Sequence, residues 1–388
     1  MTGSAFSLAT SFEDELIDGV ADLPVSQIYG KIEGDGFGGG RPRFLVPKIG
    51  WHRFRKHVEH ARSKGIAFDY LLNAADGGTG DIATPEGYRR LRKLLDRISE
   101  CGVEWVTVVS PLFLRVIVRH TKLKVRVSVF SRVDDERKAR AWFDEGAHRI
   151  VLDSMLVNRD PDRLNAIMRA MAGRGELELL VNNRCELGCA WAPCHAADLG
   201  AASRRKTPAP DACYFQCHTG FLKDPSRLLM QDWIRPEDLP RYEAFGYRHF
   251  KIAGRGCSTK DLVARTRAYA ERRYDGNLMD LMRRGPVHID AATGFAAVMR
   301  GGWRRLLGLA RAARPAFDIE DQIRIDNRSL DGYLDLVFRK GGCLPGKCFR
   351  CDLCSHWAAR AVSFPRTLAS RVEKVDEGLV PGQLWEAT

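Results

Sequence analysis

The stretch Lys124–Asp153, KVRVSVFSRVDDERKARAWFDEGAHRIVLD, reads as one strand–helix–strand unit. Val125–Phe130 is a short apolar run rich in β-branched residues, which suits a strand. Asp134–Glu145 has the apolar spacing of a helix, and Gly146 ends it before a second run, Arg149–Asp153. Two strands joined through a helix are parallel neighbours. The same alternation recurs on both sides. Further candidate strands are Phe6–Thr10, Gln27–Lys31, Phe68–Asn73, Trp105–Val109, Leu177–Asn182 and His249–Ala253, with Phe44–Pro47 as a ninth strand or an edge. Helices are predicted over Trp51–Lys64, Pro85–Cys101, Leu112–His120, Pro161–Met171, Pro236–Phe245 and Lys260–Arg273. Thr84-Pro85-Glu86 is a capped helix start, and Gly65, Gly102 and Gly246 punctuate helix ends. About eight such units in an α/β chain predict a TIM-like (β/α) barrel over residues 1–282, with a doubly wound sheet as the alternative. Residues 283–388 break the pattern and read as a C-terminal appendage. Within them, Arg300–Arg314 reads as an amphipathic helix.

The chain has 388 residues, enough for a sizeable core without disulfide support. Its opening, MTGSAFSLATSFEDEL, lacks the charged and apolar regions of a signal peptide, and no apolar run is long enough to span a membrane. These features predict a cytoplasmic protein, in which clustered cysteines serve metals or redox chemistry rather than disulfides. The net charge of +12 favours an anionic partner, either a small molecule or RNA, unless it reflects ordinary solvated surface.

Eight of the eleven cysteines fall into two groups. Cys185, Cys189, Cys213 and Cys217 form two C-x3-C pairs in the interval 184–233, directly after the strand Leu177–Asn182. Barrel active sites lie at that end of the strands. Cys343, Cys348, Cys351 and Cys354 form the second quartet. Four converging thiolates can hold an iron–sulfur cluster or a tetrahedral zinc. An iron–sulfur cluster is the expectation at both sites, with zinc the alternative. Cys194 and Cys257 are substitute ligands, and Cys101 is read as a core residue. His195 and His218 adjoin the first group as ligands, proton donors or plain loop residues. His52, His57 and His60 read as an amphipathic surface without a role.

At the predicted strand ends stand Asn73, Arg132, Asp153, Asn158, Arg159, Asn182, Asn183 and Arg255. Arg132, Arg159 and Arg255 are candidates to hold a dianion through bidentate pairing, and Asp153 is a candidate base. Each is also open to a structural ion pair. The glycine-rich loop Gly34–Gly40 reads as a mobile lid or connector. Neither a G-x-S-x-G elbow nor an H-E-x-x-H helix is present.

The segments LELLVNNRCELGC (Leu177–Cys189), DACYFQC (Asp211–Cys217), WIRPEDLPRYEAFGYRHFKIAGR (Trp233–Arg255) and AYAERRYDGNLMDLM (Ala268–Met282) resemble the U32 peptidase family, the collagenase-like peptidases. Lys124–Asp160 fits the middle of the same family, and the resemblance spans roughly residues 4–285. It implies a barrel with a cysteine-bound 4Fe–4S cluster at its mouth. It also implies oxygen-independent hydroxylation, with prephenate as oxygen donor, of a ubiquinone precursor or of a tRNA or ribosomal RNA base. The chain departs from those hydroxylases in its tight first C-x3-C pair and in its second quartet. An electron-donor protein is a further expected partner. Readings of other classes are a peptidase or peptide-modifying accessory protein, and a nucleic-acid-binding module with structural zinc.

Overall fold

The structure is a computed structural model that describes residues 3–43, 46–76, 82–204, 212–283, 319–343 and 348–370. Eight parallel strands close into a barrel: β1 (Ala5–Ala9), β2 (Val25–Gly30), β3 (Ala67–Leu72), β4 (Trp105–Val108), β5 (Lys124–Val127), β6 (Arg149–Val151), β7 (Glu176–Leu180) and β8 (His249–Ile252). Each pairs with its sequence neighbour, and β8 closes on β1 through Phe6–Phe250 and Leu8–Ile252. The fold is thus the TIM-like barrel, and not the doubly wound sheet. Each of the eight main strand expectations corresponds to one barrel strand. Phe44 and Leu45 lie outside the described residues, and Val46 and Pro47 are in no strand.

The helices pack their apolar faces on the barrel wall. Pro85–Glu100 begins where Thr84 accepts a hydrogen bond from Gly87 N at 3.0 Å, and it buries Leu91, Leu94, Leu95 and Ile98. It ends before Gly102, whose φ of 86° is a left-handed turn that glycine adopts without strain. Asp135 caps Glu136–Asp144 in the same way.

The bore carries charge as well as hydrocarbon. Fully buried Arg126 of β5 bonds Asp69 of β3 at 2.7 Å, stands 3.2 Å from Glu178 of β7, and donates to Ser7 at 2.7 Å and to Gln27. Ser7 donates to Glu178 at 2.6 Å, and Thr107 to Asp69 at 2.6 Å. Arg149 of β6 bridges Gln27 at 2.6 Å and Glu176 at 2.6 Å. Two carboxylates and two guanidiniums inside the barrel thereby find partners, as buried charge requires.

The interval after β7 is more helical than its weak periodicity predicts, with helices at Ala192–Ala202, Ala212–Lys223 and Ser226–Leu229. Ala192–Ala202 is rich in small residues, so it lacks the apolar stripe from which a helix is read. The described C-terminal residues pack against this interval. Helix Leu353–Ala361 lies on Ser226–Leu229, and Tyr333 donates to Leu229 O at 3.1 Å. The two-residue strands β9 (Arg324–Ile325) and β10 (Val362–Ser363) pair antiparallel. Residues 300–314, where an amphipathic helix is expected, lie outside the described residues. No helix among the described residues is long and apolar enough to cross a membrane.

Candidate functional site

The C-terminal ends of the strands form a mouth, and the glycine-rich loop closes over part of it. Asn73, after β3, accepts from Gly40 N at 3.1 Å, and Ser203 accepts from Gly39 N at 2.8 Å. Asp35 accepts from Tyr70 Oη at 2.7 Å and pairs with Lys31 at 2.9 Å, while Lys31 also donates to Gly38 O. A Cβ on Gly40 would stand 2.3 Å from the Phe130 ring, so close approach explains glycine there. The loop, expected to be a mobile lid or a connector, is pinned by these bonds as part of the wall.

Between this wall and the end of β8 lies a pocket of about 170 Å³, lined by Lys31, Asp35, Arg41, Arg43, Arg204 and Arg255. Most of these charges have partners: Arg43 pairs with Glu33, and Arg204 with Asp76 at 2.9 Å. Arg255 differs. Its Nη1 is buried without a hydrogen bond, and burial, reinforced by the charge of Arg41, brings its pKa down to about 9. Still a cation at neutral pH, it faces the pocket with capacity for an anion.

The other two candidate arginines stand elsewhere. Arg132, with a left-handed φ of 56°, pairs with Asp153 at 2.8 Å. Arg159 is buried, stacks on Trp233 and Tyr333, and donates to Trp233 O at 3.0 Å. Its own carbonyl accepts from Cys343 N at 2.8 Å. Only Arg255 of the three lines the pocket, so they do not form one dianion clamp. Arg159 instead sits with the second quartet, its guanidinium stacked on aromatic faces while Nη2 donates to carbonyls.

Asp153 is buried at the end of β6 and caps Ser154–Val157 by accepting from Met155 N at 3.1 Å. Burial raises its pKa to about 6, against the pull of Arg132. Next to it, Asp232 accepts from Ser154 Oγ at 2.6 Å, Asn183 Nδ2 at 2.8 Å and Cys185 N at 2.9 Å. Burial pushes the Asp232 carboxyl up as well. This chain of bonds ties the rim of β6 to the first cysteine loop. Asn158 and Asn182 are braces: Asn158 donates to Leu180 O and Asp232 O, and Asn182 to Ala253 O and Leu281 O.

Cys185 and Cys189 occupy the loop after β7, while Cys213 and Cys217 sit four residues apart on one face of helix Ala212–Lys223. Arg227 connects the two parts, bonding Glu186 at 2.6 Å and interacting with the charge of Cys217. Cys194 is exposed and His195 half-buried on helix Ala192–Ala202. His218 is buried against Tyr214 and Phe221 and lies 3.5 Å from Glu320, and burial lowers its pKa. Cys257 is buried and accepts from Arg265 at 3.2 Å, a satisfied thiol beneath the mouth, and Cys101 is in the core.

In the second quartet, Cys354 Sγ lies 3.1 Å from Tyr333 Oη, and Cys351 N donates to Cys348 O at 3.0 Å. Burial pushes the Cys343 thiol up to about 11; the nearby Arg159 opposes this, and Cys354, Cys348 and Cys351 add to it. Cys348 is also raised by burial, by Cys351 and by Glu186, so the quartet adjoins the first cysteine loop. Among the described residues, no three His, Cys, Asp or Glu side chains stand at metal-ligating separation. The donor chemistry of the second quartet nevertheless suits a soft cation: four thiols share a partly buried region with one arginine to offset their charge.

One residue read as surface belongs inside. His57 is buried, with Thr10 Oγ1 at 2.8 Å from Nε2 and Asp14 at 3.2 Å from Nδ1. The rings of Phe12 and Phe68 close over it. The bore lysine Lys251 was also missed. Its signal is a charged residue inside the apolar run HFKI of β8.

No family model matches the chain. It is 29% identical over 244 residues to an uncharacterized protease of Methanocaldococcus jannaschii, covering 63% of this chain and 72% of the relative. Among solved structures, a U32 peptidase is similar over 66% of this chain and 94% of its own, with 21% identity and a TM-score of 0.48. A putative fructose-1,6-biphosphate aldolase from Coccidioides immitis covers 46% of this chain and 64% of its own, with 13% identity and a TM-score of 0.31. The peptidase resemblance read from the sequence thus recurs in a curated relative that is named a protease.

Proposed function

We propose that this chain is an iron–sulfur enzyme that hydroxylates, or otherwise modifies by electron transfer, an anionic substrate bound at the barrel mouth. The observation that carries this reading is the second quartet, where burial and neighbouring thiols hold Cys343, Cys348 and Cys354 above the usual thiol range. Thiols so arranged are stabilised as thiolates by a shared cation. Cys343, Cys348, Cys351 and Cys354 would hold one group, and Cys185, Cys189, Cys213 and Cys217 another beside the mouth. A bound cluster supplies single electrons there. The rest is done by the chain: Arg255 orients an anionic substrate, the pinned glycine loop restricts water, and Asp153 holds or releases a proton near neutral pH.

Anaerobic purification followed by iron and acid-labile sulfide assay tests this reading. Both elements are expected, with a visible absorbance that Cys343→Ser and Cys217→Ser each reduce in part. A colourless protein containing zinc alone would overturn it. The relative's description as a protease favours a second reading, peptide cleavage. The Thr10–His57–Asp14 arrangement superficially suits it. However, Thr10 is buried and its hydroxyl already accepts from Phe12 N at 2.9 Å, so it presents no accessible nucleophile. Peptide cleavage that persists after removal of bound metal would favour this second reading.

A further inference from the structure

We propose that Lys251 is an amine nucleophile for a carbonyl compound bearing a carboxylate, which Arg255 holds at the mouth. The proposal does not rest on the iron–sulfur reading. Lys251 lies on β8, next to the last residue of the strand, and points into the bore. Its Nζ stands 3.7 Å above the centre of the Tyr29 ring, and Tyr29 is itself fixed by donating to Ile252 O at 2.8 Å. Among the described residues, Lys251 forms no hydrogen bond and no ion pair. The carboxylates whose charge reaches it pair with other groups: Glu178 with Arg126 and Ser7, Asp69 with Arg126 and Thr107. Arg126 from β5 and Arg255 from the end of β8 add positive charge.

A lysine needed only for structure would take one of those carboxylates. This one is held over an aromatic face at the end of the barrel where active sites form. Burial foremost, then Arg126, brings its pKa down to about 7, so a substantial fraction is neutral amine at neutral pH. Arg255 lies four residues further along; it lines the pocket, and its Nη1 is buried without a hydrogen-bond partner. An amine beneath a free guanidinium suits a 2-oxo acid: carboxylate on Arg255, carbonyl carbon toward Nζ. The amine adds to the carbonyl carbon, its nitrogen passes one proton to the oxygen, water gives a second and is left as hydroxide, and that oxygen leaves as water. The product is a protonated imine, with no change of oxidation state.

The test is to incubate the full-length protein as purified with pyruvate, reduce it with sodium borohydride, and locate the adduct by peptide mass mapping. Labelling is expected at Lys251 in preference to other lysines, and it should be lost in Lys251→Arg. Arg255→Met should slow trapping of pyruvate by roughly tenfold, as expected for loss of a charge-assisted contact, while trapping of acetone, which has no carboxylate, is slowed far less. Adducts spread over many lysines, or undiminished pyruvate labelling in Arg255→Met, would overturn the proposal. Should Lys251→Arg fail to fold, the native map and the Arg255 variant still decide it. Iron content is measured on the same preparation, so failure of the cluster reading and failure of this proposal are distinguishable.

Discussion

The middle of the barrel and its mouth hold similar charges on opposite terms. In the bore, Arg126 meets Asp69, Glu178, Ser7 and Gln27, so each of two carboxylates has a guanidinium beside it at zero exposure. At the mouth, Arg255 leaves Nη1 unpartnered, and at the top of the bore beneath it Lys251 rests on an aromatic ring without a carboxylate. Depth alone therefore does not separate structural from functional charge; an adjacent opposite charge does. Buried charge without a partner costs stability, and a fold keeps it where a ligand supplies the partner. The largest expected effect follows from the paired region. Arg126→Met strands Asp69 and Glu178 together and should cost about 3–5 kcal/mol, read by denaturant unfolding. A loss below about 1 kcal/mol would show that the bore network is not a structural unit.

Acid titration sharpens the same contrast, because two carboxyls respond in opposite senses. Glu178, buried but held by Arg126 and Arg149, has its pKa lowered to about 2 from 4.5. Its stabilisation is full above pH 4.5 and is lost as pH falls toward 2, by about 3 kcal/mol in total. Asp153 at the rim is raised to about 6 from 3.8, with burial outweighing Arg132. The native state then binds the extra proton between those values, so stability falls as pH rises from about 4 to 6. Glu178→Gln should remove much of the acid lability below pH 4.5, and Asp153→Asn should flatten the fall above pH 4. Unchanged stability profiles in both variants would contradict the assignment.

A smaller effect is expected where the rim meets the cysteines. Asp232→Ala removes the acceptor for Ser154, Asn183 and Cys185 N, and should cost roughly 1–3 kcal/mol through the buried donors it strands. If the first quartet holds metal, that site should lose occupancy while the second keeps it, which metal analysis of Asp232→Ala beside Cys343→Ser would separate. Equal loss from both sites would mean that Asp232 acts on the fold as a whole.

The barrel was legible because its strands are short, β-branched runs separated by helical spacing and glycine stops; Val125–Val127 and Ile150–Val151 need no tertiary information. The bore network was not legible. A single charge in KVRV, ELELL or HFKI does not show whether it faces water or the barrel axis, and only closure of the sheet brings Arg126, Glu178 and Lys251 together. His57 was misread for a related reason: helix Trp51–Ser63 has polar residues around much of its circumference, and burial came from Thr10 and Phe12 of another segment. The cysteine groups were legible as spacing. That the second lies beside the loop of the first depends on helix Leu353–Ala361 packing on Ser226–Leu229, which no local pattern announces.

Arg255→Met is the mouth counterpart of Arg126→Met and should have the smallest effect on folding. The native state pays for this cation, since burial and the charge of Arg41 bring its pKa down from 12.5 to about 9 while the unfolded chain keeps it fully solvated. Below pH 9 it is protonated in both states, so its charge opposes folding throughout the neutral range. A methionine of similar length fills the space without the charge, so stability should be unchanged or rise by on the order of 1 kcal/mol. Ligand binding gives the opposite readout. Pyruvate should raise the melting temperature of the native protein and leave that of Arg255→Met unaltered. If Arg255→Met instead destabilised the fold as strongly as Arg126→Met does, the mouth would be as structural as the bore, and unpaired charge would no longer mark where this barrel meets its substrate.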